Sequence, residues 1–475
     1  MGIYDALINT VKGKRCAVLG LGVSNLPLVR LLLSLNAGAN ITVYDKKTPD
    51  ELGGAALALK EQGVGFVSGA DCFDNIDADV IFRSPGIRPD KKGIRRAMER
   101  GALLSSEMET FMSLTPARIF AITGSDGKTT TTTLCGKFLQ RSGRVFVGGN
   151  IGKPLLDVCD KMRESDSVVL ELSSFQLMNV SREPTFAAIT NITPNHLDWH
   201  TDEGEYANAK YNIVGKDTRR VVLNADNEKT LAFGQRLIAE GGREVIFFSS
   251  RAKSYLDVLP EIRDGVALLF VRGGDIYISN GKSSERLLDT ADIRLPGQHN
   301  IENYMTAIGL TYGYVDKRVY SEVASSFGGV EHRLELVRRH KDVDYYNSSI
   351  DSSPTRTCAA LSALAGRDIV IICGGYDKNL DYAPLAEGLC RYARAVVLTG
   401  NTAPKIKKAL TECRGYDPKR LNTIEAKSFE EAVSRASRLA ARGGCVLLSP
   451  ASASFDRFKN FAERGKYFKE LVKKL

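Results

Sequence analysis

The chain has 475 residues, 43% of them hydrophobic, and its formal charge of +9 arises from 65 Lys and Arg against 56 Asp and Glu. At roughly 150 residues per domain, this length predicts about three domains. Because charges of both signs are mixed and no long basic block occurs, the composition argues against a nucleic-acid-binding protein. The expected consequence is a solvated surface with some attraction for anionic substrates.

The nine cysteines are scattered and never occur in C-x-x-C spacing. This pattern predicts reduced thiols in the core rather than disulfides or a zinc site. The N-terminal residues contain no basic segment that leads into an apolar core, and no apolar run approaches the length needed to span a bilayer. We therefore expect a cytoplasmic protein without membrane insertion.

The first segment begins with a predicted strand at residues 15–19, a glycine turn at 20–22 and a Leu-rich helix that runs through residue 35. Strand, glycine turn and helix in this order are typical of the start of a dinucleotide-binding fold. The third glycine of G-x-G-x-x-G is absent, because position 25 is Asn. The pattern therefore disfavours an oxidoreductase and leaves open a nucleotide bound by a variant of this turn.

Two further predicted strands of this segment end in polar loops. The strand at 41–44 ends in Asp45, whose carboxylate is placed to accept hydrogen bonds from hydroxyl or imide groups of a ligand. The strand at 80–82 is followed by Ser84, Pro85 and Gly86. We expect this segment to end near Glu107.

The next apolar run, residues 118–123, breaks into a glycine loop and then a predicted helix. Loop amides and a helix N-terminus cradle phosphate oxygens, while a lysine reaches the outer phosphates and a threonine hydroxyl ligates Mg²⁺. The long form of this motif would need glycine at Ile122, so the loop is a shortened one. The residues predicted to bind the triphosphate are Gly124, Ser125, Asp126, Gly127, Lys128, Thr129 and Thr130.

The remaining pattern predicts two more α/β units. Short apolar runs at 168–171 and 187–191 predict parallel strands, and alternation at 266–271 and 276–278 predicts an antiparallel hairpin. A helix should begin beside Asn300, and strands recur at 369–373, 395–398 and 446–448. The predicted fold class is α/β, with a Rossmann-like domain at 1–107, a central P-loop ATPase-type domain at 108–329 and a second Rossmann-like domain at 330–475.

Polar side chains follow the central strands where ligands bind in open α/β sheets. Glu171 directly follows one strand, and residues 191–198, which include His196, follow the next. An acid at such a strand end can complete a Mg²⁺ shell beside a phosphate loop. Lys210 lies on the next predicted helix, either exposed on its surface or facing the metal, where its ammonium would have to be neutral or converted into an anion.

Seven motifs in chain order resemble the Mur ligase family, the ATP-dependent amino-acid ligases of peptidoglycan synthesis. They are residues 124–130, 149–152, 171–177, 191–198, 209–210, 297–303 and 332–333. Residues 448–456 with Phe461 and Arg464, and the turn that leads into Asp45, resemble the member that adds D-glutamate to UDP-N-acetylmuramoyl-L-alanine.

The resemblance implies ATP, two Mg²⁺ ions, these two substrates and a role for each motif residue; we expect a monomer. Lys128, Glu171, His196 and Lys210 would be catalytic, and Lys210 would carry a CO2-derived carbamate. Thr129, Glu171, His196 and the modified Lys210 would hold metal, while Asn303 and Arg333 would contact ATP. The UDP substrate would meet Gly22, Val23, Ser24, Asp45, Lys46, Ser84, Pro85, Gly86, Asn150, Ser173 and Gln176. D-Glutamate would meet Ser352, Lys378, Ser454 and Phe455.

Three departures from the family pattern stand out. Asp126 occupies a position where Asn is more usual and adds negative charge beside the phosphates. Residues 347–353 lack the Asp and Lys of the usual Asn-Asp-Ser-Lys-Ala-Thr-Asn, which leaves Asp351 and Ser352 as stand-ins. Lys46 follows Asp45 where family members vary.

Other functions remain as alternatives. Another Mur-type ligase or a folylpolyglutamate synthase would share the ATP site, but no Asp-Asn-Pro-Arg type motif for a diamino acid occurs. A nucleotide-binding regulator or degenerate scaffold is disfavoured by the complete set Lys128, Glu171, His196 and Lys210. A dehydrogenase is disfavoured by the broken N-terminal glycine pattern.

Overall fold

The computed structural model describes residues 2–196, 199–378 and 380–475. The chain folds as two compact units, Met1–Asp292 with Gln298–Ala324 and Ile293–Gly297 with Ser325–Leu475. The first unit carries two β-sheets and the second carries one. Three successive α/β sheets agree with the predicted fold class, while the domain boundaries at 107 and 329 stay predictions.

The first sheet is entirely parallel and has the strand order β3-β2-β1-β4-β5. Its strands are β1 (Arg15–Leu19), β2 (Asn40–Asp45), β3 (Gly65–Ser68), β4 (Val80–Arg83) and β5 (Leu103–Ser105). The helices of this region are α1 (Asp5–Val11), α2 (Asn25–Ser34), α3 (Pro49–Leu52), α4 (Gly54–Glu61), α5 (Lys92–Glu99) and α6 (Glu107–Leu114). The strand order reverses between β1 and β4, and ligands bind at such switch points.

The second sheet has nine strands in the order β14-β13-β12-β11-β10-β9-β6-β8-β7. Its parallel strands are β6 (Arg118–Thr123), β7 (Val145–Gly149), β8 (Ser167–Glu171), β9 (Phe186–Ile189), β10 (Arg220–Asn224), β11 (Glu244–Ser249) and β12 (Val266–Arg272). The strands β13 (Asp275–Ser279) and β14 (Ser284–Asp289) extend it antiparallel, which confirms the predicted hairpin.

Helices surround this second sheet and complete the first unit. They are α7 (Lys128–Leu139), α8 (Ser174–Leu177), α9 (Glu203–Tyr211), α10 (Glu228–Glu240), α11 (Gln298–Thr311) and α12 (Arg318–Ala324). The strand β8 is buried along its whole length, as expected for parallel strands covered on both faces. Burial on both faces explains why these strands read in the sequence as continuous apolar runs.

The third sheet has the order β15-β16-β20-β17-β18-β19, with β15 antiparallel at the edge. Its strands are β15 (Glu335–His340), β16 (Val343–Asn347), β17 (Ile369–Cys373), β18 (Ala393–Leu398), β19 (Asn422–Glu425) and β20 (Cys445–Leu448). Its helices are α13 (Pro354–Ala363), α14 (Ala383–Tyr392), α15 (Ala403–Glu412), α16 (Phe429–Leu439) and α17 (Phe461–Lys473). Within the described residues, no helix combines the length and apolarity needed to cross a membrane.

Candidate active site

The glycine loop between β6 and α7 adopts a backbone that only glycine accommodates at two positions. Gly124 has φ +146°, and a Cβ there would lie 1.9 Å from Oγ1 of Thr190. Gly127 has φ +79°, and a Cβ would lie 2.3 Å from Oδ1 of Asn303. Both glycines are therefore required by close approach as well as by conformation. The contact also places Asn303, a predicted ATP contact, directly beside the loop.

The loop is held in place by the chain that follows β9. The amide of Ser125 donates to the carbonyl of Asn191, and the amide of Asp126 donates to Oδ1 of the same residue, both at 2.9 Å. The Ser125 hydroxyl lies 2.8 Å from that of Tyr206 on α9. Thr190 and Tyr206 support the loop although no sequence motif had singled them out, because their role depends on neighbouring strands rather than on spacing.

Two lysines converge on the loop. Nζ of Lys128 donates to the carbonyls of Gly124 and Ser125 at 2.9 and 3.0 Å, and Nζ of Lys210 donates to the Gly124 carbonyl at 2.8 Å. Lys210 is 2% exposed, so it does not lie on the helix surface. Burial, and then the charge of Lys128, lower the pKa of Lys210 to about 7. A large share of this amine is therefore neutral near pH 7.

Glu171 ends β8, next to β6 in the sheet, and is 2% exposed. Its Oε1 accepts a hydrogen bond from Nδ2 of Asn150 at 2.8 Å, whereas its Oε2 is buried and has no hydrogen-bond partner among the described residues. An unpartnered buried carboxylate oxygen is costly unless a ligand completes it. This oxygen, with the Thr129 hydroxyl in the first turn of α7, fits a Mg²⁺ site.

His196 lies on the exposed loop after β9, with φ +55° and its ring centroid 5.0 Å from that of Phe175. Asp198 lies outside the described residues. No group of three His, Cys, Asp or Glu side chains is arranged to hold a metal within the described ranges. Mg²⁺ commonly uses one or two carboxylates plus phosphate oxygens and water, so a preformed cage is not required.

The predicted UDP residues of the first sheet gather at its carboxyl edge, where strand order reverses. Oδ2 of Asp45 accepts from the amide of Leu21 at 2.8 Å, and the amide of Ser84 donates to the carbonyl of Leu19 at 3.0 Å. Asn25, in place of the third glycine, donates to the carbonyls of Leu19 and Gly20. The other predicted residues of this edge are Gly22, Val23, Ser24, Lys46, Pro85 and Gly86.

The predicted substrate residues of the second sheet are bound to the scaffold. Ser173 caps α8, and Gln176 completes a reciprocal capping box with it. Asn150 is bonded to Glu171, as described above. The structure thus brings Asn150, Ser173 and Gln176 to the strand ends beside the glycine loop.

In the second unit, the predicted D-glutamate residues lie on three loops: Ser352 after β16, Lys378 after β17, and Ser454 with Phe455 after β20. Nζ of Lys378 lies 5.8 Å from the ring centroid of Phe455, whose side chain is 59% exposed. Ser454 is 3% exposed. Arg464 donates to the carbonyls of Ser452 and Ala453 and thereby holds the loop in place.

Side chains of the atypical segment 347–353 form hydrogen bonds with other residues of the second unit. Oδ2 of Asp351 accepts from the hydroxyl of Ser449 at 2.8 Å, and the hydroxyl of Ser348 accepts from the amide of Leu334. Burial raises the pKa of the Asp351 carboxyl. The Asp351 carboxyl is therefore held by the scaffold, and Asp351, Ser352 and Arg333 stay predicted ligand contacts of this neighbourhood.

A strand, a glycine loop and a helix that gather two lysines and an incompletely bonded carboxylate define an enzyme that uses a nucleoside triphosphate. Family models confirm this class. The Mur ligase middle domain matches residues 122–311, and the Mur ligase glutamate ligase domain matches residues 332–452.

Relatives match over nearly the whole chain. The UDP-N-acetylmuramoylalanine--D-glutamate ligase of Ruminiclostridium cellulolyticum is 44% identical over 98% of this chain and 97% of its own length. The protein of the same name from Acetivibrio thermocellus is 42% identical over 97% of both chains. The chain belongs to the Mur ligase family, and it is accordingly an ATP-dependent, ADP-forming ligase that uses Mg²⁺.

Solved structures of the family share the fold. The UDP-N-acetylmuramate-alanine ligase of Thermotoga maritima superposes with a TM-score of 0.53 at 18% identity, over 97% of this chain and 99% of that one. At this identity the likeness concerns the fold alone.

Proposed function

We propose that this protein joins D-glutamate to UDP-N-acetylmuramoyl-L-alanine, with conversion of ATP to ADP and phosphate, in the synthesis of peptidoglycan precursors. The observation that carries the proposal is the near full-length similarity, at 41–44% identity, to proteins named for this reaction. The glycine loop with Lys128, Lys210 and Glu171 supports it, because these groups suit phosphoryl transfer.

The chemistry explains the need for ATP. A carboxylate resists attack by an amine because its leaving group would be oxide. Transfer of the γ-phosphoryl group to the alanine carboxylate yields an acyl phosphate and ADP. The amine of D-glutamate then attacks the acyl carbon, and the tetrahedral intermediate collapses to the amide with loss of phosphate and a proton.

The protein contributes mainly position and charge to this path. Loop amides and the N-terminus of α7 bind phosphate oxygens, and Lys128 turns from the loop carbonyls to the outer phosphates. Thr129, Glu171, His196 and a modified Lys210 would hold two Mg²⁺ ions. When bound, these ions neutralise phosphate charge. Asn303 and Arg333 complete the ATP contacts.

Lys210 is proposed to carry a carbamate. A neutral amine adds to CO2 to form R–NH–COO⁻ with release of one proton, and the lowered pKa near 7 provides that neutral amine. The anion removes the repulsion between an ammonium and Mg²⁺. It also gives the crevice a second carboxylate beside Glu171.

The remaining roles follow the family pattern. The carboxyl edge of the first sheet holds UDP, and Asn150, Ser173 and Gln176 face the muramoyl part. Ser352, Lys378, Ser454 and Phe455 hold D-glutamate, whose negative charges suit Lys378. The protein is proposed to act as a cytoplasmic monomer, with domains at 1–107, 108–329 and 330–475.

Phosphate release tests this function. Purified enzyme with ATP, Mg²⁺ and UDP-N-acetylmuramoyl-L-alanine should release phosphate upon addition of D-glutamate, and mass spectrometry should identify the amide product. L-Alanine and diaminopimelate should support less than about a hundredth of that rate, because an amine lacking the right carboxylates is poorly held. Equal turnover with either would contradict the proposal and favour another Mur-type ligase.

A further inference from the structure

Two arginines bracket the loop after β4 and reach the helices of the second sheet. Arg83 is 1% exposed; its Nη2 donates to the carbonyl of Phe175 at 2.8 Å, and its Nε donates to Oδ1 of Asn179 at 3.1 Å. Its Nη1 donates back to the carbonyl of Pro85 at 3.1 Å. The buried guanidinium of Arg83 therefore links the predicted nucleotide loop, residues 84–86, to α8 and to the residue Asn179 that follows it.

Arg88 reaches the other helix, α9. Its Nη2 and Nη1 donate to Oε1 and Oε2 of Glu205 at 2.9 and 3.1 Å, a two-point contact, and Nη1 also donates to the carbonyl of Trp199. These bonds hold the pKa of Glu205 at about 2. Glu205 is therefore ionised and can only accept hydrogen bonds.

His200 connects Glu205 to α8. The ring is 3% exposed, with Nδ1 3.0 Å from Oε2 of Glu205 and Nε2 2.9 Å from the hydroxyl of Ser174. Burial lowers the pKa of His200, which favours the neutral form of the ring. Because Glu205 can only accept, the proton lies on Nδ1, and Nε2 accepts from the Ser174 hydroxyl.

The ends of this chain of hydrogen bonds lie at the reaction site. Ser174 is the first residue of α8 and follows Ser173, a predicted substrate contact. Glu205 lies in the first turn of α9, and the same helix carries Lys210, whose Nζ is bonded to the glycine loop. A displacement of the nucleotide loop would thus reach both helices through directional hydrogen bonds.

We propose that Arg88, Glu205, His200 and Ser174 form a positioning relay that couples nucleotide binding at residues 84–86 to the placement of Ser173 and Lys210. The relay deepens the proposed function, since it rests on UDP occupying that loop. We assign none of the four residues a contact with the reacting atoms. Their role is to hold α8 and α9 in the positions that the bound UDP substrate requires.

The structure contains a probe at this junction. Trp199 is the chain's one tryptophan, and its indole Nε1 lies 3.4 Å from the carbonyl of Gly86. The Arg88 guanidinium lies 5.0 Å from the Trp199 ring centroid, and the Phe175 ring lies 4.4 Å away. Tryptophan emission therefore reports on the nucleotide loop and the relay together.

The first experiment titrates the full chain with UDP and follows Trp199 emission, while calorimetry measures binding independently of turnover. We expect a saturable emission change in the wild type and in Arg95→Ala, an exposed arginine of α5. Arg88→Ala should lose most of the change at saturating UDP. The relay would be overturned if calorimetry detected UDP binding while Trp199 emission stayed unchanged. It would also be overturned if Arg88→Ala showed the same emission change as the wild type. Absence of any UDP binding would instead overturn the proposed function, and the relay with it.

The second experiment separates positioning from folding. His200→Phe keeps the ring but removes both hydrogen bonds, and we expect about a tenfold rise in KM for the UDP substrate and about a tenfold fall in kcat, with KM for D-glutamate unchanged. His200→Gln, whose amide oxygen can accept from Ser174, should recover part of the loss. A fall in kcat alone, with every KM unchanged, would indicate lost folded enzyme and would overturn the relay.

A double-mutant cycle provides the last check. If Arg88 and His200 act through one relay, the double variant Arg88→Ala/His200→Phe should lower kcat/KM for the UDP substrate by a factor within about twofold of the larger single-variant effect. If the fall in the double variant equalled the product of the two single-variant falls, the two residues would act independently. That result would overturn the relay.

Discussion

The two glycine turns of the first unit share a framework and differ in charge. Each follows a parallel strand, β1 or β6, and each leads into a helix. The turn after β6 is surrounded by Lys128 and Lys210, whereas the turn after β1 is held by the Asp45 carboxylate. The comparison teaches that, in the proposed function, one framework offers a nucleotide site at each turn, and the neighbouring charges select phosphates at the β6 turn and polar ring and sugar groups at the β1 turn.

The largest expected effect comes from removing the amine that distinguishes the β6 turn. Lys210→Ala should lower kcat by about a thousandfold, because the proposed carbamate helps to hold Mg²⁺ opposite the phosphates. Added formate or acetate should restore part of the activity in phosphate-release assays, since the missing group is an anion.

Lys216→Ala is the matched control, because Lys216 is exposed near the same helix. Unchanged activity in Lys210→Ala would contradict the role assigned to this lysine. Rescue by small amines instead of carboxylates would argue for a cationic lysine.

A glycine pair compares the two turns directly. Gly127→Ala should lower kcat/KM for ATP by about thirtyfold, because the new Cβ meets Asn303 and φ is +79°. Gly22→Ala in the β1 turn should leave kcat/KM for ATP within about threefold of the wild type, because Gly22 lies outside the β6 loop and its Cβ would meet no protein atom within 4 Å. Steady-state kinetics on both variants measure this contrast, and similar losses in the two would refute it.

We expect the smallest effect on activity from Glu107, a second buried glutamate, which begins α6 between the last strand of the first sheet and the first strand of the second. Glu107 is 5% exposed and its Oε1 has no partner among the described residues, which makes it comparable with Glu171. Burial, and then the charge of Asp157, raise the pKa of Glu107 to about 7. No proposed ligand explains this carboxyl.

A raised pKa means that the folded protein keeps a proton that the unfolded chain releases at lower pH. Stability should therefore fall as pH rises from about 4.5 to about 7 and then stay constant. Glu107→Gln should remove this loss, worth at most about 3 kcal/mol above pH 7, and leave activity unchanged. Thermal unfolding at pH 5 and pH 8 measures the difference, and equal shifts at both pH values would contradict the assignment.

Much of the fold could be predicted from the sequence. Parallel strands buried on both faces are apolar throughout, so β6, β8 and β17 are visible as short runs. The phosphate loop was visible because its chemistry requires particular residues at fixed spacing. Placement of Glu171 beside that loop followed from the shared carboxyl edge of the strands.

Other parts of the site were not visible. The contact between Arg88 and Glu205 joins residues 117 positions apart, and no local pattern identifies either one. Nothing in the sequence indicated that the Asp351 carboxylate accepts a hydrogen bond from Ser449, 98 positions away. Hydrogen-bond partners of this kind depend on which strands become neighbours.

The sequence by itself determined the order of the strands and helices along the chain, the glycine loop and the family, since these depend on residues close in the chain or on motif order. Only the tertiary structure decided that Lys210 is buried against the Gly124 carbonyl and that one Glu171 oxygen lacks a partner among the described residues. The physical reason is that burial and charge environment arise from residues distant in sequence, which folding brings within a few ångströms of each other.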